Sequence, residues 1–158
     1  MSTNYLKNAD FSEAAHKMPM YYRHLGKMYY NKTRSEGART LSFAFHRPAY
    51  EKLVYELPVA VSDDKLATVG LVIRANDCDV VKYVLHSFNE RQHLIRSQSH
   101  NVAYHITSEF KEIHVRFLLD EQTSYVQVEF QFSGILTGVT LKHPSLTFSS
   151  NDEHEDQL

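Results

Sequence analysis

The chain has 158 residues, 42% of them hydrophobic and 23% charged, which is enough for one compact domain but too few for two. Seventeen lysine and arginine residues oppose nineteen aspartate and glutamate residues, and this formal charge of -2 argues against both a wholly basic nucleic-acid binder and an acidic DNA mimic. One cysteine excludes an internal disulfide. The absence of a bilayer-long apolar run or an N-terminal apolar stretch predicts a soluble, cytoplasmic protein without a membrane partner.

The N-terminal segment, residues 1–37, is basic and rich in tyrosine. Asp10 and Glu13 have the spacing of a capping box, which predicts a short first helix through about Lys17. Pro19 suits the first turn of a second helix, because a proline there loses no hydrogen bond. The second helix is predicted from an apolar stripe at helical spacing: Met18, Tyr21, Tyr22, Leu25, Met28 and Tyr29.

From residue 41 the hydrophobic period changes to two, which is typical of strands. Three strands are predicted between residues 41 and 73, the last two forming a hairpin around residues 62–64. Four more are predicted after residue 101, the last closed by Pro144. In the strand near residue 130 we expect an apolar face of Val126, Val128, Phe130 and Phe132 and a wet face of Tyr125, Gln127, Glu129 and Gln131.

Between these groups of strands, residues 76–79 offer caps for a long middle helix. Its predicted buried stripe is Val81, Val84, Leu85, Phe88 and Ile95.

This order of elements predicts an α+β fold. Two N-terminal helices precede a mostly antiparallel sheet of about seven strands, with the middle helix packed on the apolar face of the sheet. Cone-shaped cystatin-like or nuclear-transport-factor-like domains have roughly this order, an analogy of topology that implies no activity. Residues 1–148 are predicted to form a single domain, and the acidic residues 149–158 a disordered tail.

Two surfaces carry the leading functional hypothesis. The tyrosine-rich helix and the wet sheet face both combine aromatic and polar groups, which are adaptable at interfaces. The sequence therefore predicts a small binding or regulatory protein that engages a protein partner and self-associates as a homo-oligomer. The candidate binding residues are Tyr21, Tyr22, Arg23, Lys27, Tyr30, Tyr125, Gln127 and Glu129.

Two alternatives stay open at this point. A cone-type fold could enclose a pocket lined by tyrosine and histidine, in a small-ligand-binding or enzymatic domain. The basic N-terminal arm could instead bind single-stranded nucleic acid, with cations on phosphates and tyrosines on bases. The sequence lacks a nucleophile elbow, a phosphate-binding loop and a dinucleotide fingerprint, so no catalytic residue and no cofactor are predicted and the balance is against an enzyme.

The chain has ten histidines, which raises the question of a metal site. On a helix, His86, Glu90 and His93 would share one side and could supply three ligands to zinc or iron. A solvated face is the stronger interpretation, because polar side chains at such positions are mostly exposed.

Overall fold

A computed structural model describes residues 3–15, 17–35 and 37–150, with the backbone alone at residues 32–35. The chain is a sandwich of two antiparallel β-sheets, and the described residues contain no α-helix. None of them forms a helix long and apolar enough to cross a bilayer. The strands are β1 (Ala14–Ala15), β2 (Met18–Pro19), β3 (Tyr22–Leu25), β4 (Tyr29–Ser35), β5 (Ala38–Phe43), β6 (Ala49–Tyr55), β7 (Val59–Ala60), β8 (Leu66–Arg74), β9 (Asp77–Phe88), β10 (Leu94–Asn101), β11 (Lys111–Leu118), β12 (Tyr125–Thr137) and β13 (Val139–Ser149).

The strands form two principal layers. The front sheet has the order β10-β9-β12-β6-β3, with β7 pairing to one end of β12. The back sheet has the order β11-β8-β13-β5-β4, and β1 and β2 make a separate two-stranded ribbon. Every described pairing is antiparallel, but the strands form two principal sheets and not the one sheet of about seven strands that the sequence predicted.

The core lies between the two sheets. Phe132 of the front sheet meets Phe43 of the back sheet edge-on, with ring centroids 5.1 Å apart. Tyr83 crosses the same space, and its hydroxyl donates a hydrogen bond of 2.9 Å to the carbonyl of Ile113 in β11. A buried hydroxyl without such a partner would destabilise the fold, so this bond accounts for a tyrosine in the core.

The predicted α+β class is wrong, and the middle helix is its largest error. Residues 77–88 form the twelve-residue strand β9, which pairs with both β10 and β12. Val81, Tyr83 and Leu85 are fully buried at a spacing of two, and this stretch is rich in the β-branched and aromatic residues that favour strands. The sandwich therefore has no helix on its apolar face and is not a cone-like or cystatin-like fold.

The two predicted N-terminal helices are also absent, because this segment is broken into short strands. Tyr21 and Gly26 have positive φ angles of 75° and 120°, which interrupt any helix between β2 and β4. Tyr22 is buried in an aromatic cluster with Phe11 and Tyr55, at centroid distances of 5.2 Å. The tyrosines in this segment therefore serve largely to close the edge of the sandwich.

Several strand partners also differ from the predictions. β7 and β8 do not form a hairpin, because β7 joins the front sheet and β8 the back sheet. Residues 103–105 form a short 3-10 turn rather than a strand. β13 continues through Pro144 with a register shift and reaches Ser149, where the predicted tail begins; residues 151–158 of that tail lie outside the described residues.

Gly26 permits a close approach between two segments and provides a test of the fold. An added Cβ at this φ of 120° would overlap the buried Glu51 carboxylate, which accepts a 2.7 Å hydrogen bond from the Lys27 backbone. Gly26→Ala should lower the free energy of unfolding in urea by about 2 kcal/mol. Gly37→Ala is the control, because Gly37 has a φ of 84° but no atom within 4 Å of an added Cβ. The free energy of unfolding of this control should fall by only about 1 kcal/mol. If both variants lose the same free energy of unfolding, the Glu51 contact is unimportant.

Candidate functional site

The outer face of the front sheet is polar, whereas its inner face is apolar. Successive side chains of a strand point to opposite faces, and β12 follows this alternation over most of its length. The alternation is the one that the sequence predicted. Its inward side chains are Val126, Val128, Phe130 and Phe132, all fully buried, and its outward side chains are Tyr125, Gln127, Glu129 and Gln131.

Antiparallel register sets residues of neighbouring strands side by side on this face. Glu129 of β12 lies opposite Val84 of β9 and Val54 of β6, and Val54 lies opposite Arg23 of β3. The face is therefore built from four different segments of the chain. Its other rows are Gln131 with Lys52 and Lys82, Gln127 with His86, and Tyr125 with Phe88.

Glu129 is the centre of a hydrogen-bonded network on this face. Its Oε1 lies 2.5 Å from Nε2 of His86, and its Oε2 lies 3.1 Å from the Lys52 ammonium. Gln131 donates a further hydrogen bond of 2.8 Å to Oε2, and Ser97 Oγ lies 2.6 Å from Nδ1 of His86. Only 7% of the Glu129 side chain is exposed, so these contacts hold its carboxylate in one orientation.

The same contacts decide the charge of Glu129. Burial by itself raises the pKa of a carboxyl group, because it penalises the ionised form. Here the hydrogen bonds from His86, Gln131 and Lys52 outweigh burial and lower the pKa of Glu129 from 4.5 to about 2. The front face therefore presents a fixed, ionised acceptor at neutral pH.

Two grooves flank this network. The first, which we call the cationic groove, has a volume of about 320 Å³ and is lined by Arg23, His24, Leu25, Lys52 and Val54. The second, the aromatic groove, has a volume of about 190 Å³ and is lined by Pro58, Phe88, Gln92, Tyr125 and Gln127. A line between the two grooves crosses the strands diagonally and passes over Glu129 and Gln127.

The structure separates the N-terminal residues that the sequence grouped as one binding surface. Arg23 points to the outer face of the front sheet, whereas Tyr22 is buried. Tyr21 is half-buried beneath the Lys7 ammonium, and Tyr30 lies in the back sheet, where its hydroxyl donates a hydrogen bond to the Phe11 carbonyl. Lys27 is exposed beyond the end of β3.

The three residues considered as metal ligands do not converge. His86 lies on β9 and contacts Glu129, whereas Glu90 and His93 lie in the turn between β9 and β10. The three side chains would share one side of a helix, but a strand followed by a turn does not bring them together. In the described part of the chain, histidine, cysteine, aspartate and glutamate side chains form no group of three that could hold a metal.

Glu90 and His93 instead line a larger groove of about 760 Å³ at the loop end of the sandwich. Its lining is mostly polar and contains no phenylalanine or tyrosine.

Sequence reasoning missed the residues that β9, β10 and β6 add to the face. The helix predicted for this segment makes His86 a candidate metal ligand and Phe88 a core residue, whereas the strand β9 places both on the outer face. For Lys52 the signal was present, since Leu53, Tyr55 and Leu57 alternate in the predicted strand and place Lys52 on the opposite face. Ser97 could not be placed, because its contact with His86 depends on the β9–β10 register.

The sandwich is similar to solved structures of carbohydrate-binding modules. The module TmCBM61, solved in complex with β-1,4-galactotriose, superposes with a TM-score of 0.63 at 18% identity, over 94% of this chain and 100% of that chain. The family 11 module of the cellulase Lic26A-Cel5E of Clostridium thermocellum has a TM-score of 0.63 at 11% identity, with 96% of each chain covered. This chain shares its β-sandwich fold with these modules.

The enzymatically active domain of tailspike protein 4 from bacteriophage CBA120 contains a similar sandwich. It has a TM-score of 0.64 at 10% identity over 92% of this chain, which spans only 21% of the tailspike chain. The sequence itself matches no protein-family model and no curated protein. At these low identities the similarity shows the fold alone.

These comparisons correct the functional predictions. A protein-binding regulator, a cone-type pocket domain and a single-stranded nucleic-acid binder were all inferred for an α+β fold, which the chain does not have. Four of the similar structures are carbohydrate-binding modules instead. The predictions of a regulatory function, a protein partner and a homo-oligomer are therefore wrong.

Proposed function

We propose that this chain binds a carbohydrate on the outer face of its front sheet. The observation that carries the proposal is the fixed, ionised Glu129 carboxylate between the aromatic and the cationic groove. Binding sites for small polar ligands combine apolar surface with a few convergent polar groups. The front face has this combination.

The aromatic groove supplies the apolar surface. Tyr125 and Phe88 lie opposite each other on β12 and β9, and both are half-buried. The carbon-bound hydrogens of a sugar ring can pack against such rings, because the face of an aromatic ring is electron-rich. Gln92 and Gln127 line the same groove and can bond the hydroxyl groups at the edge of that sugar.

The centre of the face supplies polar contacts. Sugar hydroxyls both donate and accept hydrogen bonds, and the Glu129 carboxylate is an acceptor with two oxygens. Bonds to an ionised acceptor are stronger than those between neutral groups. Because His86, Lys52 and Gln131 already hold Glu129, little side-chain entropy is lost when a ligand binds.

The fold supports the same proposal. One structurally similar module was solved with an oligosaccharide, β-1,4-galactotriose, and another is described as a xylan-binding domain. These properties belong to those modules. The proposal for this chain depends on its own front face.

Truncation of the aromatic groove tests the proposal. Affinity for soluble galactan, xylan, mixed-linkage glucan and polygalacturonate should be measured by calorimetry. For the polysaccharide bound best, Tyr125→Ala should lower affinity about tenfold, because a central aromatic contact is lost.

Tyr29→Ala is the matched control, since Tyr29 is 66% exposed on the back sheet. It should leave affinity unchanged. A chain that binds none of these polysaccharides, or loses equal affinity in both variants, would contradict the proposal.

A further inference from the structure

The middle of the front face carries more positive than negative charge, although the whole chain is negative. In the rows from Tyr125 to Gln131, the outward cations are Arg23, Lys52 and Lys82, and Glu129 is the outward carboxylate. The formal charge of the chain is -2. The charge of the face is therefore opposite in sign to that of the protein, which favours an anionic ligand.

Carboxylates at the margins of the face are engaged elsewhere. Asp77 accepts a hydrogen bond of 3.0 Å from the Thr137 hydroxyl, and Asp79 accepts one of 2.8 Å from the Ile135 backbone. Glu56 lines a neighbouring groove with Arg23 but forms no ion pair with it. These hydrogen bonds do not remove the charge of Asp77 or Asp79, so the excess of positive charge is confined to the middle rows, where Arg23, Lys52 and Lys82 outnumber Glu129.

Arg23 is the cation best placed for an additional ligand. Lys52 is paired with Glu129, whereas Arg23 forms no ion pair with any residue that the structure describes. Both line the cationic groove, whose remaining walls include the apolar side chains of Leu25 and Val54. His24 also lines it and has a buried Nδ1 without a described hydrogen-bond partner.

We infer that the cationic groove binds an acidic group of the glycan, a carboxylate or a sulfate ester, so that the ligand is an acidic polysaccharide. This inference rests on the proposed function and names its ligand class. The planar guanidinium of Arg23 can donate two parallel hydrogen bonds to either anion. Leu25 and Val54 contact the carbon-bound hydrogens of the same sugar.

Each groove then binds a different part of the ligand. A sugar without charge packs on Tyr125 and Phe88, and its neighbours along the glycan pass over Glu129. The acidic sugar lies at Arg23, two strands from Glu129, a distance of about 10 Å at the usual strand spacing. Glu129 disfavours acidic groups at the centre of the face, which restricts the acidic sugar to one end.

Pairs of polymers with the same sugar backbone, one charged and one neutral, provide the test. Affinities should be measured for polygalacturonate and its methyl-esterified form, and for dextran sulfate and dextran. At least one charged polymer should bind about tenfold more tightly than its neutral partner. Arg23→Gln should remove most of that difference, because the affinity for the charged polymer should fall by much more than the affinity for its neutral partner. The polymer pair that shows the effect distinguishes a carboxylate from a sulfate ester.

Lys82→Gln is the matched control, because it removes one positive charge from the same face outside the cationic groove. It should retain most of the preference for the charged polymer. An equal loss in both variants would overturn the assignment to this groove, and equally tight binding of single-stranded DNA would mean unspecific attraction of polyanions.

The inference and the proposed function can fail separately. If neutral polysaccharides bind as well as acidic ones, or alone, the inference is wrong and the proposed function stands. If none of the polysaccharides binds, both are wrong.

Discussion

Replacement of Phe132 by alanine is expected to lower the free energy of unfolding by about 3–5 kcal/mol. Phe132 is fully buried on the inner face of β12, and its ring meets that of Phe43 in the opposite sheet. Truncation would remove this contact between the two sheets and leave a cavity lined by rigid strands. Because strands paired on both sides cannot collapse into such a cavity, the loss should lie in the upper part of the range for core residues.

Urea unfolding followed by fluorescence or circular dichroism measures this effect. Tyr104→Ala is the control, because the Tyr104 side chain is 81% exposed in the 3-10 turn after β10. It should change the free energy of unfolding by less than about 0.5 kcal/mol. A loss below about 1 kcal/mol for Phe132→Ala would contradict the buried contact between the sheets.

Acid should destabilise the protein through Glu129 in particular. The pKa of Glu129 is about 2 in the folded protein and returns toward 4.5 on unfolding. A lowered folded-state pKa stabilises the fold fully above the unfolded value, and this stabilisation is lost as the pH falls from 4.5 toward 2. Protonation of Glu129 should lower the free energy of unfolding by about 2–3 kcal/mol.

Glu129→Gln isolates this contribution from those of the other carboxylates, which both proteins share. The variant should be less stable than the natural chain at pH 7, because Lys52 and His86 lose their charged partner. The difference should shrink as the pH is lowered toward 3. Glu121→Gln, on an exposed turn, is the control. Its free energy of unfolding should differ from that of the natural chain by the same amount at every pH. A stability difference between Glu129→Gln and the natural chain that does not change with pH would refute the lowered pKa.

The outer face of β12 could be predicted from the sequence because it depends only on local alternation. Gln127, Glu129 and Gln131 alternate with fully buried Val128, Phe130 and Phe132. A strand with one apolar face produces this pattern whatever its neighbours are. Two of the three candidate residues on this strand, Gln127 and Glu129, lie on or beside the line between the two grooves.

β9 was misread because its residues satisfy two periods at once. Val81, Val84, Leu85 and Phe88 have the spacing of a helical stripe, yet Val81, Tyr83 and Leu85 also alternate. The conflict arises because Val84 is buried on the outer face, under the side chains around Glu129. A strand with apolar residues on parts of both faces fits two periods, so its neighbours decide between helix and strand.

By itself, the sequence determined the alternation of β12, with a wet outer face and an apolar inner face. Only the tertiary structure decided that Glu129 meets His86, 43 residues away in the chain, and that Arg23 joins the same face. Local periodicity reports which side of a strand is buried. The identity of the neighbouring strand, and hence the composition of the site, depends on long-range register, which local periodicity does not encode.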